Sequence, residues 1–381
     1  MEPVDLKDYS IQYLIGEGGF AKVYLGISKI TNIKVAIKVI PKVMENEKNH
    51  LYYVKNEIDI LKKIKYPFIC RLFDVFESNS SIYLIMEYAQ NGTMLDFLNK
   101  NGPFSEKQAV SIFAQLVLAL KFLHQDCKIV HRDLKLENIL LDINYYLRLI
   151  DFGFSKALSK DDLMKTRCGS LLYCAPELLH GMEYSFSVDI WSAGIILFVL
   201  VAGFFPFDDK NVTVLAQKIV YSDVTFPAHF SDNLEDLLRN MLTKDPFDRI
   251  TIDEIIEHPW VRDEYLRLLG KFSKVKIDDT LVYDEIRKWR NVGVDHNDNA
   301  FTNIIESCLI TEQLFIHLSD RKKNISNHKS YPAICKPVFM SDITTVGDKQ
   351  RYRPVCITLP VKKKGQRRTP NVVKYYNLPS T

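Results

Sequence analysis

The feature that most constrains this 381-residue chain is the stretch from His131 to Gly153. It reads H-R-D-L-K-L-E-N, then twelve residues, then D-F-G. The intervening residues contain an apolar run at 139–141 and a turn at 142–144, a pattern that predicts two short paired strands. Such a pair would bring Asp133 and Asp151, which are eighteen positions apart, to one mouth of the fold.

A glycine-rich turn lies between two predicted strands near the start of the chain. The letters G-E-G-G-F-A place glycine at 16, 18 and 19 and alanine at 21. Glycine lets backbone N–H groups close over a phosphate without side-chain obstruction. Strands on both sides argue against a dinucleotide-binding turn, because that turn would open a helix. The following predicted strand, K-V-A-I-K-V-I, contains V-A-I-K and so carries Lys38.

Together these motifs resemble those of the eukaryotic protein kinases, and the resemblance covers residues 9–261. It implies an α+β, two-lobed fold with a small β-rich N-lobe and a larger helical C-lobe, followed by a C-terminal helical extension. C-G-S at 168–170 and the segment after 278 resemble the calcium/calmodulin-dependent group. Within that group the AMP-activated and microtubule-affinity-regulating branches are nearest.

The resemblance implies a serine/threonine kinase that transfers the γ-phosphoryl of ATP to protein hydroxyls with the help of Mg²⁺. Asp133 would orient the attacking hydroxyl and accept its proton, and Lys135 would reach the transferred phosphate. Asn138 and Asp151 would bind the metal.

Two further residues complete the implied catalytic set. Lys38 would contact the α- and β-phosphates, and Glu57 would pair with that lysine from a helix predicted over 49–64. Glu47 and Asp59 are rival acidic residues at less suitable positions.

The resemblance also implies a nucleotide pocket. Met86 would be the gatekeeper, and the backbone of Glu87 and Ala89 would hydrogen-bond adenine. The turn glycines Gly16 and Gly18 would cover the phosphates. The apolar residues expected to enclose the base are Ile15, Val23, Ala36, Met86 and Leu140. Each of these apolar residues is equally compatible with ordinary core packing.

Regulation is expected in the segment between Asp151 and Glu177. Thr166 is the phosphoacceptor that the resemblance implies, and an upstream kinase would modify it. Arg132, beside Asp133, offers a guanidinium that can clamp a phosphate. Ser155 and Ser159 are less well placed acceptors. Leu136 stands where many related kinases have proline.

The composition is that of a globular chain, with 47% apolar and 25% charged residues. No apolar run is long enough to span a bilayer, and the start does not resemble a signal peptide. The seven cysteines lack paired spacing and are expected to be reduced thiols. We therefore expect a cytoplasmic protein, with the nucleus as a second location.

The charge is distributed unevenly. From Arg321 onward there are fourteen Lys and Arg against two acidic residues, a net +12, so the first 320 residues carry −9 of the total +3. A flexible basic tail is predicted over 324–381. Simple solubilising charge is the first interpretation of this tail; an anionic lipid or acidic partner, nucleic acid, an import receptor and the kinase's own acidic surface are alternatives.

Residues 278–323 contain three short helical patterns. Their position and length resemble the ubiquitin-associated-like module that follows the catalytic domain in AMP-activated and microtubule-affinity-regulating kinases. Generic amphipathic helices and a calmodulin-binding helix are alternatives.

Two other functions are compatible with the sequence. A pseudokinase scaffold would normally lack the strand lysine or one of the two key aspartates, and this chain retains all three. A tail-driven binding protein would depend on residues 321–381 rather than on the catalytic motifs.

Overall fold

The computed structural model describes residues 6, 8–18, 21–29, 31–42, 50–151, 171–182 and 185–272, and the backbone of 354–356 and 374–376. Within the first helix the side chains of residues 50, 52, 53 and 56 lie outside this description, as does the side chain of residue 272 at the end of the last helix.

The small lobe is an antiparallel sheet. Its strands are β1 (Tyr9–Glu17), β2 (Lys22–Ser28), β3 (Lys34–Pro41), β4 (Leu72–Glu77) and β5 (Ser81–Glu87), and their order is β1-β2-β3-β5-β4. Alternate residues of the central strands face opposite ways. Ile37 and Ile85 pack on one face, whereas Ile82 and Leu84 join the larger core on the other.

One helix, α1 (His50–Leu61), packs against that larger core. Val54, Ile58 and Leu61 are buried at helical spacing and lie on one face of α1. Glu57 is also buried, so the helix carries a carboxylate on its inner side. Asp59 is exposed.

The large lobe is helical. Its helices are α2 (Met94–Asn101), α3 (Glu106–Lys121), α4 (Pro176–Leu179), α5 (Ser187–Ala202), α6 (Val212–Tyr221), α7 (Asp232–Met241), α8 (Ile252–Glu257) and α9 (Arg262–Phe272). A π-helical turn, Phe122–Asp126, extends α3. Helix α5 is the buried helix of this lobe's core, and thirteen of its residues are buried.

A short hairpin between the lobes confirms the predicted strand pair. A 3₁₀ turn, Leu136–Asn138, leads into β6 (Ile139–Leu141), which pairs with β7 (Leu147–Leu149). The hairpin is fastened on both sides. The Leu141 N–H donates to the Gly92 carbonyl (2.9 Å), and the Cys70 N–H donates to the Leu149 carbonyl (2.9 Å).

Two short strands pair near the C-terminus, β8 (Pro354–Cys356) and β9 (Lys374–Tyr376), with Val355 opposite Tyr375. They lie within the region predicted as a flexible tail, and Val and Tyr favour strands. The predicted module at 278–323 lies outside the described residues. None of the helices in the described ranges is long and apolar enough to cross a membrane.

A buried ion pair joins α4 to the loop before α8. The Arg249 guanidinium donates to both oxygens of Glu177 at 2.6 and 2.9 Å, and both side chains are almost fully buried. The same guanidinium donates to the carbonyls of Ser187 and Thr243. Removing one partner of such a pair strands a buried charge.

Replacing Arg249 by Met should therefore lower the free energy of unfolding by about 3–5 kcal/mol, measured by denaturant titration. The matched control is Arg262→Met, because Arg262 pairs with Glu257 at 3.2 Å on the exposed surface. An exposed pair contributes at most about 1 kcal/mol. Equal losses in the two variants would contradict the assigned role of the buried pair.

Candidate active site

Three charged side chains from three elements meet at the inner end of the cleft. The Lys38 ammonium on β3 contacts Asp151 Oδ1 directly and lies 3.8 Å from Glu57 Oε1 on α1. Asp151 follows β7 by two residues, so β3, α1 and the hairpin each contribute one charge. The cation thus lies between two carboxylates that are far apart in sequence.

The charges of this group depend on one another. Burial alone would lower the pKa of the Lys38 ammonium, but Asp151 and Glu57 outweigh it and raise that pKa. Burial opposes ionisation of Asp151, yet Lys38 holds the pKa of its carboxyl below the ordinary value. For Glu57 burial dominates and raises the pKa, against the effect of Lys38. The lysine is therefore a fixed positive charge at neutral pH.

A second group forms in the catalytic loop. The Lys135 ammonium donates to Asp133 Oδ2 (2.6 Å), and the Asn138 amide donates to the same oxygen (2.9 Å) and to the Asp133 carbonyl (2.7 Å). Among the described residues, none donates to Asp133 Oδ1, and 40% of this side chain is exposed. One carboxylate oxygen is thus held by the loop, and the other is open to an incoming hydroxyl.

The catalytic loop takes its shape from Asp189, at the start of α5. Its two oxygens accept the N–H groups of His131 (2.7 Å) and Arg132 (2.9 Å), and His124 Nε2 donates to it at 2.8 Å. Arg132 has φ = 70°, a conformation that costs a non-glycine residue energy. Burial raises the pKa of Asp189, but these donors outweigh burial and hold the pKa below the ordinary value.

His131 connects this loop to the metal-side aspartate. Burial lowers the pKa of its imidazole, so the ring is neutral. Its Nε2 lies 3.0 Å from the Ile150 carbonyl, which only accepts, so Nε2 carries the proton. Ile150 directly precedes Asp151, whose own φ is 53°. This contact supports the strained backbone that directs Asp151 toward Lys38.

The structure places the predicted pocket residues on the small-lobe sheet, at the hinge that follows it and on β6. Val23 lies opposite Lys38 across β2 and β3, and Ala36 lies opposite Met86 across β3 and β5. Leu140, on β6, forms a bridge with Thr93 from the segment that joins the lobes. Ile15 and Gly16 lie at the end of β1, and the Gly18 N–H closes the turn onto the Ala21 carbonyl (2.9 Å).

The hinge after β5 has the expected free donor. In the described part of the chain, the Ala89 N–H meets no acceptor, which leaves it for a ligand. The Glu87 N–H instead donates to the Arg71 carbonyl (2.9 Å), and the Glu87 carbonyl accepts a weak bond from the Cys70 thiol (3.4 Å).

The donor set suits Mg²⁺, a hard cation that prefers oxygen ligands. Asn138 gives its amide hydrogens to Asp133, so its oxygen faces away from that interaction. Lys38 holds only Oδ1 of Asp151. Within the described ranges no donor reaches Asn138 Oδ1 or Asp151 Oδ2, and these two oxygens would hold the metal.

Sequence reasoning missed a buried charge network behind the hinge. Arg148, which is 1% exposed, donates through Nε to Glu87 Oε1 (2.7 Å), and its Nη2 lies 2.9 Å from Asp142 Oδ2. The network joins the hinge, through the Glu87 side chain, to the hairpin that carries Leu140. An arginine between two leucines of a buried strand was the available signal, because such a charge needs partners.

Other functional expectations fall outside this site. Thr166, Ser155, Ser159 and Glu47 lie outside the described residues. The Arg132 side chain is exposed, beside Asp133. His124, in the π-helical turn that extends α3, is buried and forms a hydrogen bond with Asp189.

Comparison with known families agrees with this arrangement. The model of the protein kinase domain matches residues 9–261, about two thirds of the chain. The chain belongs to the protein kinase family.

Curated relatives of this kinase domain carry related names. "Probable serine/threonine-protein kinase MARK-A" of Dictyostelium discoideum is 44% identical over 256 residues, 67% of this chain and 24% of the relative. The SIK3 homolog of Danio rerio is 36% identical over 341 residues, 87% of this chain and 28% of the relative. The SNF1-related catalytic subunit KIN12 of Arabidopsis thaliana is 37% identical over 294 residues, 77% of this chain and 59% of the relative.

These three relatives support the predicted placement near the AMP-activated and microtubule-affinity-regulating branches. The chain matches between 24% and 59% of their lengths.

The hinge network yields a test of nucleotide binding. Arg148→Met should leave the buried Asp142 and the partly buried Glu87 without their cation and so disturb the hinge. We expect ATP binding to weaken about tenfold relative to Arg148→Lys. Nucleotide affinity would be measured by calorimetry on folded protein. A folded Met variant with the affinity of the Lys variant would show that the network does not position the hinge.

Proposed function

We propose that this protein transfers the γ-phosphoryl group of ATP to serine, and also threonine, hydroxyls of other proteins. The observation that carries the proposal is the pairing of two charge groups across one cleft. One is Lys38 held between Glu57 and Asp151, and the other is Asp133 with one free oxygen. Phosphoryl transfer needs positioning and charge neutralisation more than covalent chemistry from the protein.

Each group has a distinct role in the transfer. Lys38, a fixed cation, binds the α- and β-phosphates, and Glu57 keeps it in place. The free oxygen of Asp133 orients the attacking hydroxyl and accepts its proton. Lys135 lies 2.6 Å from Asp133. Its ammonium can therefore stabilise the negative charge that develops on the transferred phosphoryl group.

Magnesium, when bound by Asn138 and Asp151, neutralises the phosphate oxygens and favours attack by the hydroxyl. Because Lys38 contacts Asp151 directly, the lysine must share that carboxylate with the metal or move toward the phosphates. The 3.8 Å separation from Glu57 leaves a second carboxylate to receive it.

A pseudokinase scaffold is disfavoured, because Lys38, Asp133 and Asp151 are present and lie in one cleft. The names of the relatives point the same way. For a tail-driven binding protein, removing residues 321–381 would abolish function, whereas a kinase truncated there should still phosphorylate peptides. The anionic partner of the tail and the cytoplasmic or nuclear location stay predictions from the sequence.

Asp151→Asn should reduce phosphate transfer to a serine peptide by at least about 100-fold, because it removes the charge that holds both Lys38 and the metal. The assay is radiolabelled transfer from ATP and Mg²⁺ by the intact chain. Asp59→Asn, on the exposed side of α1, is the matched control and should keep wild-type activity. Wild-type rates in Asp151→Asn would exclude the proposed chemistry.

We also infer that phosphorylation of Thr166 by an upstream kinase activates the protein. The support is the position of Arg132, an exposed guanidinium whose backbone is fixed by Asp189 next to Asp133. A phosphate paired with this arginine would order the segment before α4.

After treatment with an upstream kinase, Thr166→Ala should be about 10- to 100-fold less active than the wild type, the range expected from one or two charge-assisted hydrogen bonds. Ser159→Ala, in the same segment, is the control and should still be activated. Full activation of Thr166→Ala would place the switch elsewhere.

A further inference from the structure

A main-chain donor at the start of the 3₁₀ turn links the catalytic loop to a distant segment. Leu136 is fully buried and lies between Lys135 and Glu137. As the first residue of the turn, it has no acceptor for its N–H within the turn. A buried N–H without an acceptor is costly, so the fold must supply one.

Tyr173 supplies that acceptor. The Leu136 N–H donates to Tyr173 Oη (3.4 Å), and Tyr173 Oη donates to Glu137 Oε2 (3.4 Å). The order of donors is fixed, because a backbone N–H can only donate and a carboxylate can only accept. The hydroxyl therefore accepts one hydrogen bond from the loop backbone and donates one to the neighbouring carboxylate.

The Tyr173 side chain is held on the large lobe. Its ring is buried and packs edge-on against Phe205, with centroids 5.3 Å apart. Its carbonyl accepts a hydrogen bond from the Ser192 hydroxyl of α5 at 2.9 Å. The hydroxyl thus presents a rigid partner to the catalytic loop.

The position of this relay separates it from the nucleotide side of the cleft. Tyr173 lies three residues before α4, in the described segment 171–175. Leu136 is adjacent to Lys135, which lies 2.6 Å from the Asp133 carboxylate that the proposed function assigns to the acceptor hydroxyl. Burial raises the pKa of the Glu137 carboxyl, and the charge of Asp133 raises it further, whereas the charge of Lys135 lowers it. The bonds of the relay join residues 136, 137 and 173, and none of them involves the hinge or Lys38.

We propose that Leu136, Tyr173 and Glu137 form a positioning relay that aligns the catalytic loop with residues 171–175, which lead into α4. The relay makes binding of the acceptor protein, rather than of ATP, depend on an N–H at position 136. This inference rests on the proposed kinase function. Leu136 and Tyr173 are positioning residues, since neither would touch the transferred group.

A single substitution can remove the Leu136 N–H without changing the backbone path. Lys135 has φ = −158° and ψ = 164°, an extended conformation compatible with a following proline. Proline is also tolerated at the first position of a helical turn. Leu136→Pro therefore removes the N–H while keeping the backbone path, and Leu136→Ala removes more of the side chain but keeps the N–H. Tyr173→Phe removes only the hydroxyl.

The experiment compares steady-state kinetics of the full chain, its three single variants and the Leu136→Pro/Tyr173→Phe double variant, with a serine peptide and ATP. We expect the peptide KM of Leu136→Pro to exceed that of Leu136→Ala by about 3- to 10-fold, the range for one hydrogen bond. Tyr173→Phe should show a similar rise over the wild type, and the double variant no more than the larger single effect. The KM for ATP should stay within about twofold.

Equal peptide KM values for Leu136→Pro and Leu136→Ala, a multiplicative effect in the double variant, or an equal rise in the KM for ATP would each overturn the proposal. A second measurement does not require activity. Hydrogen exchange of the 134–138 backbone should accelerate about tenfold in Tyr173→Phe, because the Leu136 N–H loses its acceptor. Unchanged exchange would exclude the relay, whereas a wild type that transfers no phosphate would refute the kinase function instead.

Discussion

The buried carboxylate of Asp189 is the interaction on which the rest of the site depends. It accepts two consecutive backbone N–H groups, from His131 and Arg132, and so fixes a loop whose arginine adopts a left-handed conformation. Buried carboxylates need several donors to remain ionised, and His124 supplies a third. Because Asp133 is the next residue along the chain, its direction follows from this anchor. The position of the proposed base is thus set from α5, in the core of the large lobe.

Uncharged groups connect this anchor to Asp151, on the metal side of the cleft. His131 is neutral and donates to the Ile150 carbonyl, and the following residue is Asp151. A charged imidazole here would add a second cation beside Lys38 and compete for the same aspartate. Burial removes that competition, since it lowers the pKa of His131. The low dielectric of the core therefore has two effects. It strengthens the hydrogen bonds to Asp189, and it keeps the His131 imidazole neutral.

The sequence was most informative where a function requires fixed letters at fixed spacing. Lys38, Asp133, Asn138 and Asp151 could be assigned in advance, and so could the hairpin between the last two, because an apolar run and a turn specify it locally. The partners of Arg148 could not be assigned, since Glu87 lies 61 positions away and only the folded hinge brings the two together. The roles of His124 and Tyr173 were hidden for the same reason. Their partners are chosen by burial, which demands a donor or acceptor without specifying its distance along the chain.

Leu136 stands where many related kinases have proline, and the structure shows the physical consequence of that difference. In the sequence, leucine in place of the usual proline is a change of one apolar side chain for another. In the structure the difference is one N–H group in a buried turn, and a group of that kind must be satisfied. The hydroxyl of Tyr173 satisfies it and, having accepted that bond, can direct its own proton only toward an acceptor such as Glu137. A proline at this position would leave the hydroxyl without that donor, so the catalytic loop and residues 171–175 would lose the hydrogen bond that aligns them.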